Sequence, residues 1–337
     1  MRIREAEFER KLAQTGLWQL PDLLQTLPDE TARLARLCYA ASPAGDWLDT
    51  PPEVFFSCAA HARYLRENVS WTRTLPEPLF LAYVLHPRVN NEALCDCRPV
   101  FYAALAERLR GLPEEAAILE INRWCAEHVV YQPTDERTRS ALAVLRAGFG
   151  RCGEESMFAV NVLRACGFAA RQVYVPRWAH CDDNHAWVEV RCGGAWHFLG
   201  ACEPETVLDR GWFNSAAGRA VLVHSRCFGE PEPGADLIGR EGDVVYCNET
   251  ARYADVRRLT VRVTDENGMS AAAAATSTSP RWGMRLRRSP RAPSLRSCRR
   301  TGCVPSAARA RTILSQRERR QRDKGGLRNA LRKNGYR

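Results

Sequence analysis

From Arg2 to about Leu112 the apolar positions recur at helical spacing, first Leu20, Leu23, Leu24 and Leu27, then Leu34, Leu37 and Cys38. Prolines stand at the breaks between these runs. The pattern predicts several short helices. The steps Ser42-Pro43 and Thr50-Pro51-Pro52, and the prolines Pro76, Pro78 and Pro87, fit helix ends, because a residue before proline is biased away from the α region. In the next stretch Ile118, Ile121, Trp124, Cys125 and His128/Val129 share one face. This predicts an amphipathic helix, which a polar turn at Gln132 to Asp135 closes. The segment SALAVLRAGFGRCGEESMFAVNVLRACGF then reads as a short helix, a break at Gly148/Gly150, and a second helix with Cys152 in its first turn. Gly167 is placed to stop that helix. Beyond it AARQVYVPRW, NHAWVEVRC, GAWHFLGAC and RRLTVRVTD alternate or run apolar as strands do, with a hairpin signal at Gly193-Gly194. The expected class is α+β: an all-α region over 1–112, then a helix, the Cys152 helix and an antiparallel sheet over 113–250.

Charge changes the picture only after it is divided. The chain of 337 residues has a net charge of +10, but Ser270 to Arg337 contains 19 Lys and Arg against Glu318 and Asp323, a net of +17. Met1 to Met269 is therefore left at −7. A basic balance ordinarily raises the prospect of nucleic-acid or membrane partners; here the acidic body argues against both. No long uncharged apolar run occurs and the first residues are charged rather than leader-like, so a soluble, cytoplasmic protein is expected. Its 14 Cys are scattered rather than arranged as a small disulfide scaffold, and mostly reduced thiols are expected.

A nucleophilic Cys acts as thiolate and needs an adjacent base or a lowered pKa. Cys152 stands at a helix N-terminus, where the dipole favours an anion, and Gly150 and Gly153 leave space for backbone donors near a reacting carbonyl. A base should come from a distant element, and His185 opens a strand in which His185, Trp187 and Glu189 share one face. Taken singly, one Cys among 14 is most often a small buried hydrophobe and one His most often structural.

Three blocks alter that balance. GFGRCGEESMF, Arg164 to Arg171 (RACGFAAR) and His185 to Val190 (HAWVEV) together resemble the core of the transglutaminase-like superfamily, in the form met in bacterial proteins, over roughly Glu115 to Phe228. The resemblance implies a papain-like fold in which Cys152 attacks an amide carbonyl, His185 serves as base, and the chain is a cysteine-dependent amide hydrolase or acyltransferase acting on a protein or peptide substrate without a cofactor. In that family an Asp follows a strand Trp by about four residues. Counted from Trp196, that position is Gly200. The nearest carboxylate is Glu203, which a kink at Gly200 could bring to the imidazole; a catalytically degenerate cleft that binds peptide or glycan without turnover is the alternative. Asp182, Asp183 and Glu189 are expected to be solvated or structural, the loop at 180–184 a wall of the cleft, and Trp178, Trp187, Trp196 and Trp212 core aromatics. Cys95 and Cys97 lack the second ligand pair that a structural zinc site uses, and no metal is expected.

Residues 251–268 read as the start of a truncated β-sandwich module. From 269 the chain loses strand alternation and becomes rich in Arg, Ala, Ser and Pro, as a disordered basic tail would. Lys11, Lys324 and Lys333 are its only lysines among many Arg, the bias of a GC-rich coding sequence. The tail is therefore expected to be an out-of-frame translation rather than a nucleic-acid-binding arm.

Overall fold

The structure, a computed structural model, describes residues 2–135, 137–264 and 270–278. Its first part is helical: α1 (Arg2–Thr15), α2 (Leu20–Gln25), α3 (Asp29–Ala41), α4 (Ala44–Asp49), α5 (Pro52–Asn68), α6 (Ser70–Arg73), α7 (Glu77–Phe80), a π-helical turn at Leu81–Leu85, and α8 (Arg98–Leu109). Helices α2, α5 and α7 have proline in their first turn, where the missing N–H costs no hydrogen bond. After α8 come α9 (Glu114–His128), β1 (Val130–Tyr131), α10 (Ala141–Ala147), β2 (Phe149–Gly150) and α11 (Cys152–Ala165). The sheet region follows, with β3 (Ala170–Val175), β4 (His185–Cys192), β5 (Ala195–Leu199), α12 (Asn214–Ala217), β6 (His224–Phe228), β7 (Leu237–Glu241), β8 (Val244–Asn248), β9 (Val256–Thr264) and β10 (Ser270–Thr278). The architecture is α+β, with an all-α N-terminal region and a C-terminal sheet region.

Helix α11 is the centre of this arrangement. Gly153 to Ala165 are all buried, and a helix enclosed on every side needs partners for each polar group. Arg164 donates to the carbonyls of Ala170, His86 and Arg88 at 2.8, 2.8 and 3.0 Å. The C-terminus closes at Gly167 as its position in the sequence predicts: Phe168 N–H reaches Leu163 C=O at 3.0 Å and Gly167 N–H reaches Arg164 C=O at 3.1 Å, the paired bonds of a Schellman motif. Trp71 and Thr72 of α6 then cap the freed carbonyls of Cys166 and Gly167.

The main sheet has the strand order β5-β4-β3-β6-β8-β7 and is antiparallel throughout. Gly193 and Gly194, at φ +56° and +83°, form the tight turn between β4 and β5. Register pairs Val188 with Gln172 and Ala186 with Tyr174 on the α11 face, and Trp187 with Val173 and Glu189 with Arg171 on the other. The helical region shares one core with the sheet: Phe8, Tyr39, Phe55 and Tyr83 belong to the same buried cluster as Trp196, Cys227 and Val245.

Strands β9 and β10 pair with each other along their full length. Ser270–Thr278, expected from the sequence to begin the structureless tail, is thus a strand; the ladder is made by backbone groups and tolerates a run of Ala, Ser and Thr without side-chain alternation. The tail expected beyond it, from 279 to 337, and residues 265–269 lie outside the described residues. Among the described residues no helix is long and apolar enough to cross a membrane.

Candidate active site

Cys152 is the first residue of α11. The preceding Arg151 N–H donates to the Glu154 carboxylate at 3.3 Å, which satisfies one orphan donor of the helix start. Glu154 is itself fully buried and accepts from Arg139 at 2.8 Å and Thr134 at 2.9 Å. Burial alone would raise its pKa, but the hydrogen bonds from Arg139 and Thr134 hold it below the ordinary value. Gln172 of β3 donates to Gly153 C=O at 2.9 Å and to Ser156 Oγ at 2.7 Å, so the first turn of α11 is tied to the strand beside β4. The Cys152 thiol is half-buried. Its pKa is raised: burial dominates and Glu155 adds to it, against the lowering by the nearby Ala186 N–H, Gly153 N–H and Arg151. Ala186 is the residue that follows His185.

The two glycines near the nucleophile serve packing. A Cβ on Gly150 would stand 2.9 Å from Glu154 Cβ, and one on Gly153 would collide with the Arg151 guanidinium. Gly153 N–H is engaged by the thiol itself.

His185 opens β4 opposite Val175. Its ring lies among aromatics, with centroid distances of 4.9 Å to Trp212, 5.2 Å to Phe213, 5.8 Å to Trp187 and 6.2 Å to Trp178. The loop before it folds back through Trp178 N–H to Asp183 C=O at 2.9 Å, as a wall. Trp178, Trp187 and Trp196 are buried, but Trp212, expected in the core, is 61% exposed and covers the imidazole from the solvent side.

Beyond β5 the chain turns at once. Glu203 N–H closes onto Gly200 C=O at 3.2 Å, and Cys202 adopts φ +57°, the left-handed conformation that the third residue of a type II turn requires. The turn is the kink expected at Gly200. It folds the Glu203 side chain back over that glycine: a Cβ at 200 would stand 2.5 Å from Glu203 Oε2. Glu203 Cδ would stand 3.4 Å from the same Cβ, so one oxygen of the Glu203 carboxylate packs against Gly200 and leaves no room for a side chain there. Its other oxygen accepts from Trp212 Nε1 at 3.2 Å, so Glu203 and His185 both contact the same indole.

Asn122 of α9 holds this turn. It is buried, donates to Gly200 C=O at 2.9 Å and Glu203 C=O at 3.2 Å, and accepts from Cys202 N–H at 3.0 Å. The sequence reading passed over Asn122, because a polar residue on the apolar face of a helix has no partner visible at 80 residues' distance. Of the remaining acids, Asp182 makes an exposed ion pair with Arg177 at 3.0 Å and Asp183 caps Asn184 N–H at 2.7 Å. Glu189 is structural: fully buried, it bridges Arg171 at 2.6 Å and Arg252 at 2.8 Å and accepts from Tyr253 at 2.7 Å.

The arrangement is a thiol at a helix N-terminus beside a strand that His185 opens. Residues 103–201 match the transglutaminase-like superfamily, so this segment is transglutaminase-like at the level of fold; Cys152 and His185 fall within it and Glu203 just beyond. A solved structure from Cytophaga hutchinsonii, described provisionally as a cysteine protease, is similar over 55% of this chain and 68% of its own, at 14% identity and a TM-score of 0.32. That likeness is too distant to carry an argument. Comparison with curated proteins gives no match.

Proposed function

We propose that the chain is a cysteine-dependent amide hydrolase or acyltransferase with Cys152 as nucleophile, His185 as general base and Glu203 as the acid that orients the imidazole. What supports this reading is the placement of Cys152 at the start of α11, near Ala186 and so one residue from His185 at the start of β4. Burial disfavours the bare thiolate, so the proton must be taken by a neighbouring base as the nucleophile attacks. Cys152 Sγ bonds to the carbonyl carbon of a peptide or side-chain amide, the C–N bond breaks, and His185 returns the proton to the leaving amine. Water or a second amine then opens the thioester. Glu203, which shares the Trp212 indole with His185, would orient the imidazole.

Iodoacetamide labelling at pH 6 with peptide mapping tests the pair. Cys152 should label faster than Cys181, another half-buried thiol, and lose that advantage in His185→Ala. Equal rates in the unsubstituted chain would leave a papain-like module that binds without turnover.

A further inference from the structure

A second pair of thiols lies away from Cys152. Cys95 and Cys97 flank one residue, and Cys97 N–H donates to Cys95 C=O at 2.9 Å, a γ-turn-like closure that folds the two residues toward each other. Their thiols are near enough for each to shift the other's pKa, Cys95 downward and Cys97 upward. Cys97, the residue before α8, is buried and also stands 3.7 Å from Asn161 Oδ1 of α11. Cys95 is half-buried. Its sulfur accepts from Leu142 N–H and from the Ser140 hydroxyl at the start of α10, while that hydroxyl accepts from Ala143 N–H at 3.3 Å. Both thiols line a cleft with Cys58, Glu92, Ala141 and Asn161, which has room for about one water-sized molecule.

This surrounding favours charge on one sulfur and not on the other. Hydrogen bonds from Cys97, Leu142 N–H and Ser140 draw the Cys95 pKa down to about 7 against burial and Glu92. Cys97 moves in the opposite direction, because it gives its proton to Cys95 and is buried. A nucleophilic thiolate beside a protonated thiol is the arrangement an oxidisable dithiol uses.

We propose that Cys95 and Cys97 form a peroxide-reactive dithiol, with Cys95 the attacking sulfur and Cys97 the resolving one. The Cys95 thiolate attacks one oxygen of hydrogen peroxide; the O–O bond breaks, an S–O bond forms, and hydroxide leaves. The Cys97 thiol then attacks the Cys95 sulfenic acid, the S–O bond breaks, and water departs with the Cys97 proton. The dithiol is oxidised to a disulfide and the peroxide is reduced to water and hydroxide. The cleft is too small for a bulky disulfide oxidant.

The test is made on the intact chain. Trypsin does not cut between Arg98 and Pro99, so both thiols fall on the single peptide Val89 to Arg108, with no other Cys. Under limiting hydrogen peroxide this peptide should lose the mass of two hydrogens and both alkylatable thiols, in the unsubstituted chain and equally in Cys152→Ala. Glutathione disulfide should oxidise it far more slowly. In Cys97→Ser, whose hydroxyl can still occupy the position before α8, the reaction should stop at a Cys95 sulfenic acid that dimedone traps. The proposal is overturned if the peptide keeps its mass while other cysteines oxidise, or if the disulfide joins Cys95 to Cys58. Neither result bears on Cys152 and His185, whose test reads a different peptide.

Discussion

At the scale of single residues the site depends on a substitution of one side chain for another across a turn. If Glu203, folded back against Gly200, orients the imidazole, Glu203→Ala should lower amide turnover by about 10²- to 10⁴-fold, the range for loss of a base-orienting acid. Adding Gly200→Asp to Glu203→Ala should restore much of it, whereas Gly200→Asp alone should be harmful, since its Cβ would meet the Glu203 carboxylate. Turnover unchanged in Glu203→Ala would remove Glu203 from the site. Asn122 acts through the same turn. Asn122→Ala leaves Cys202 N–H without its buried acceptor, which should cost about 1–3 kcal/mol of stability in urea unfolding. Its kinetic loss should not add to that of Glu203→Ala in a double-variant cycle. Cys152, His185 and Glu203 could be named as candidates from sequence only through the resemblance that the three blocks carry together, since each taken singly has an ordinary structural explanation. Asn122 and the exposure of Trp212 could not, since both depend on which surfaces α9 and the 203–213 segment bring together.

At the scale of elements, what the sequence made legible was period. The helices before 112, α9, α11 with its stop at Gly167, and strands β3 to β5 with their Gly193-Gly194 turn all have a clean repeat and a defined end. Strands β6 to β8 have neither; β7 is exposed at every position, so no apolar alternation marks it, and pairing with β8 alone makes it a strand. The network joining β3, β4 and the segment after β8 was also invisible, because its charged residues lie far apart. Arg171 bridges Glu189 and Glu249 at 2.6 and 2.7 Å, and Arg252 reaches Glu189 from beyond β8. Replacing Glu189 by Gln removes the buried charge shared by two guanidinium groups, leaving Arg171 only Glu249, and should destabilise the fold by about 3–5 kcal/mol, read by chemical denaturation. The pH dependence has a definite sign. Burial would raise the Glu189 pKa, but Arg171 and Arg252 hold it below the ordinary 4.5, and Glu154 is lowered likewise. A carboxylate depressed in the folded state contributes stability above its unfolded pKa and loses it as pH falls through the folded one. Glu249 is raised, by burial first, and so works in the opposite direction just above 4.5. Melting temperature should therefore hold on acidification to about pH 4.5 and fall below it, and Glu189→Gln should flatten that fall. A fall unchanged in Glu189→Gln would place the acid sensitivity in other carboxylates.

For the whole molecule the question is what the charge is attached to. The helical region and the main sheet share a core, and they belong to a body whose net charge is opposite in sign to that of the complete chain. All 19 Lys and Arg counted after Met269 lie beyond Thr278, past the last strand among the described residues. A cluster of that size attracts any polyanion through counterion release, whatever its sequence and whether or not it was selected to do so. Binding to nucleic acid by the intact chain would consequently be non-specific and steeply salt-dependent, and would say nothing about the Cys152 site. A chain ending at Thr278 keeps β10 and changes net charge from +10 to −7. It should lose retention on a heparin column while Cys152 keeps its iodoacetamide labelling rate, because the thiol's partners, Ala186, Gly153, Arg151 and Glu155, all lie within the retained residues. Retention that survived the truncation would place an anion-binding surface on the acidic body. A labelling rate that fell with the tail would tie the basic segment to the site after all, and the separation of chemistry from charge would fail.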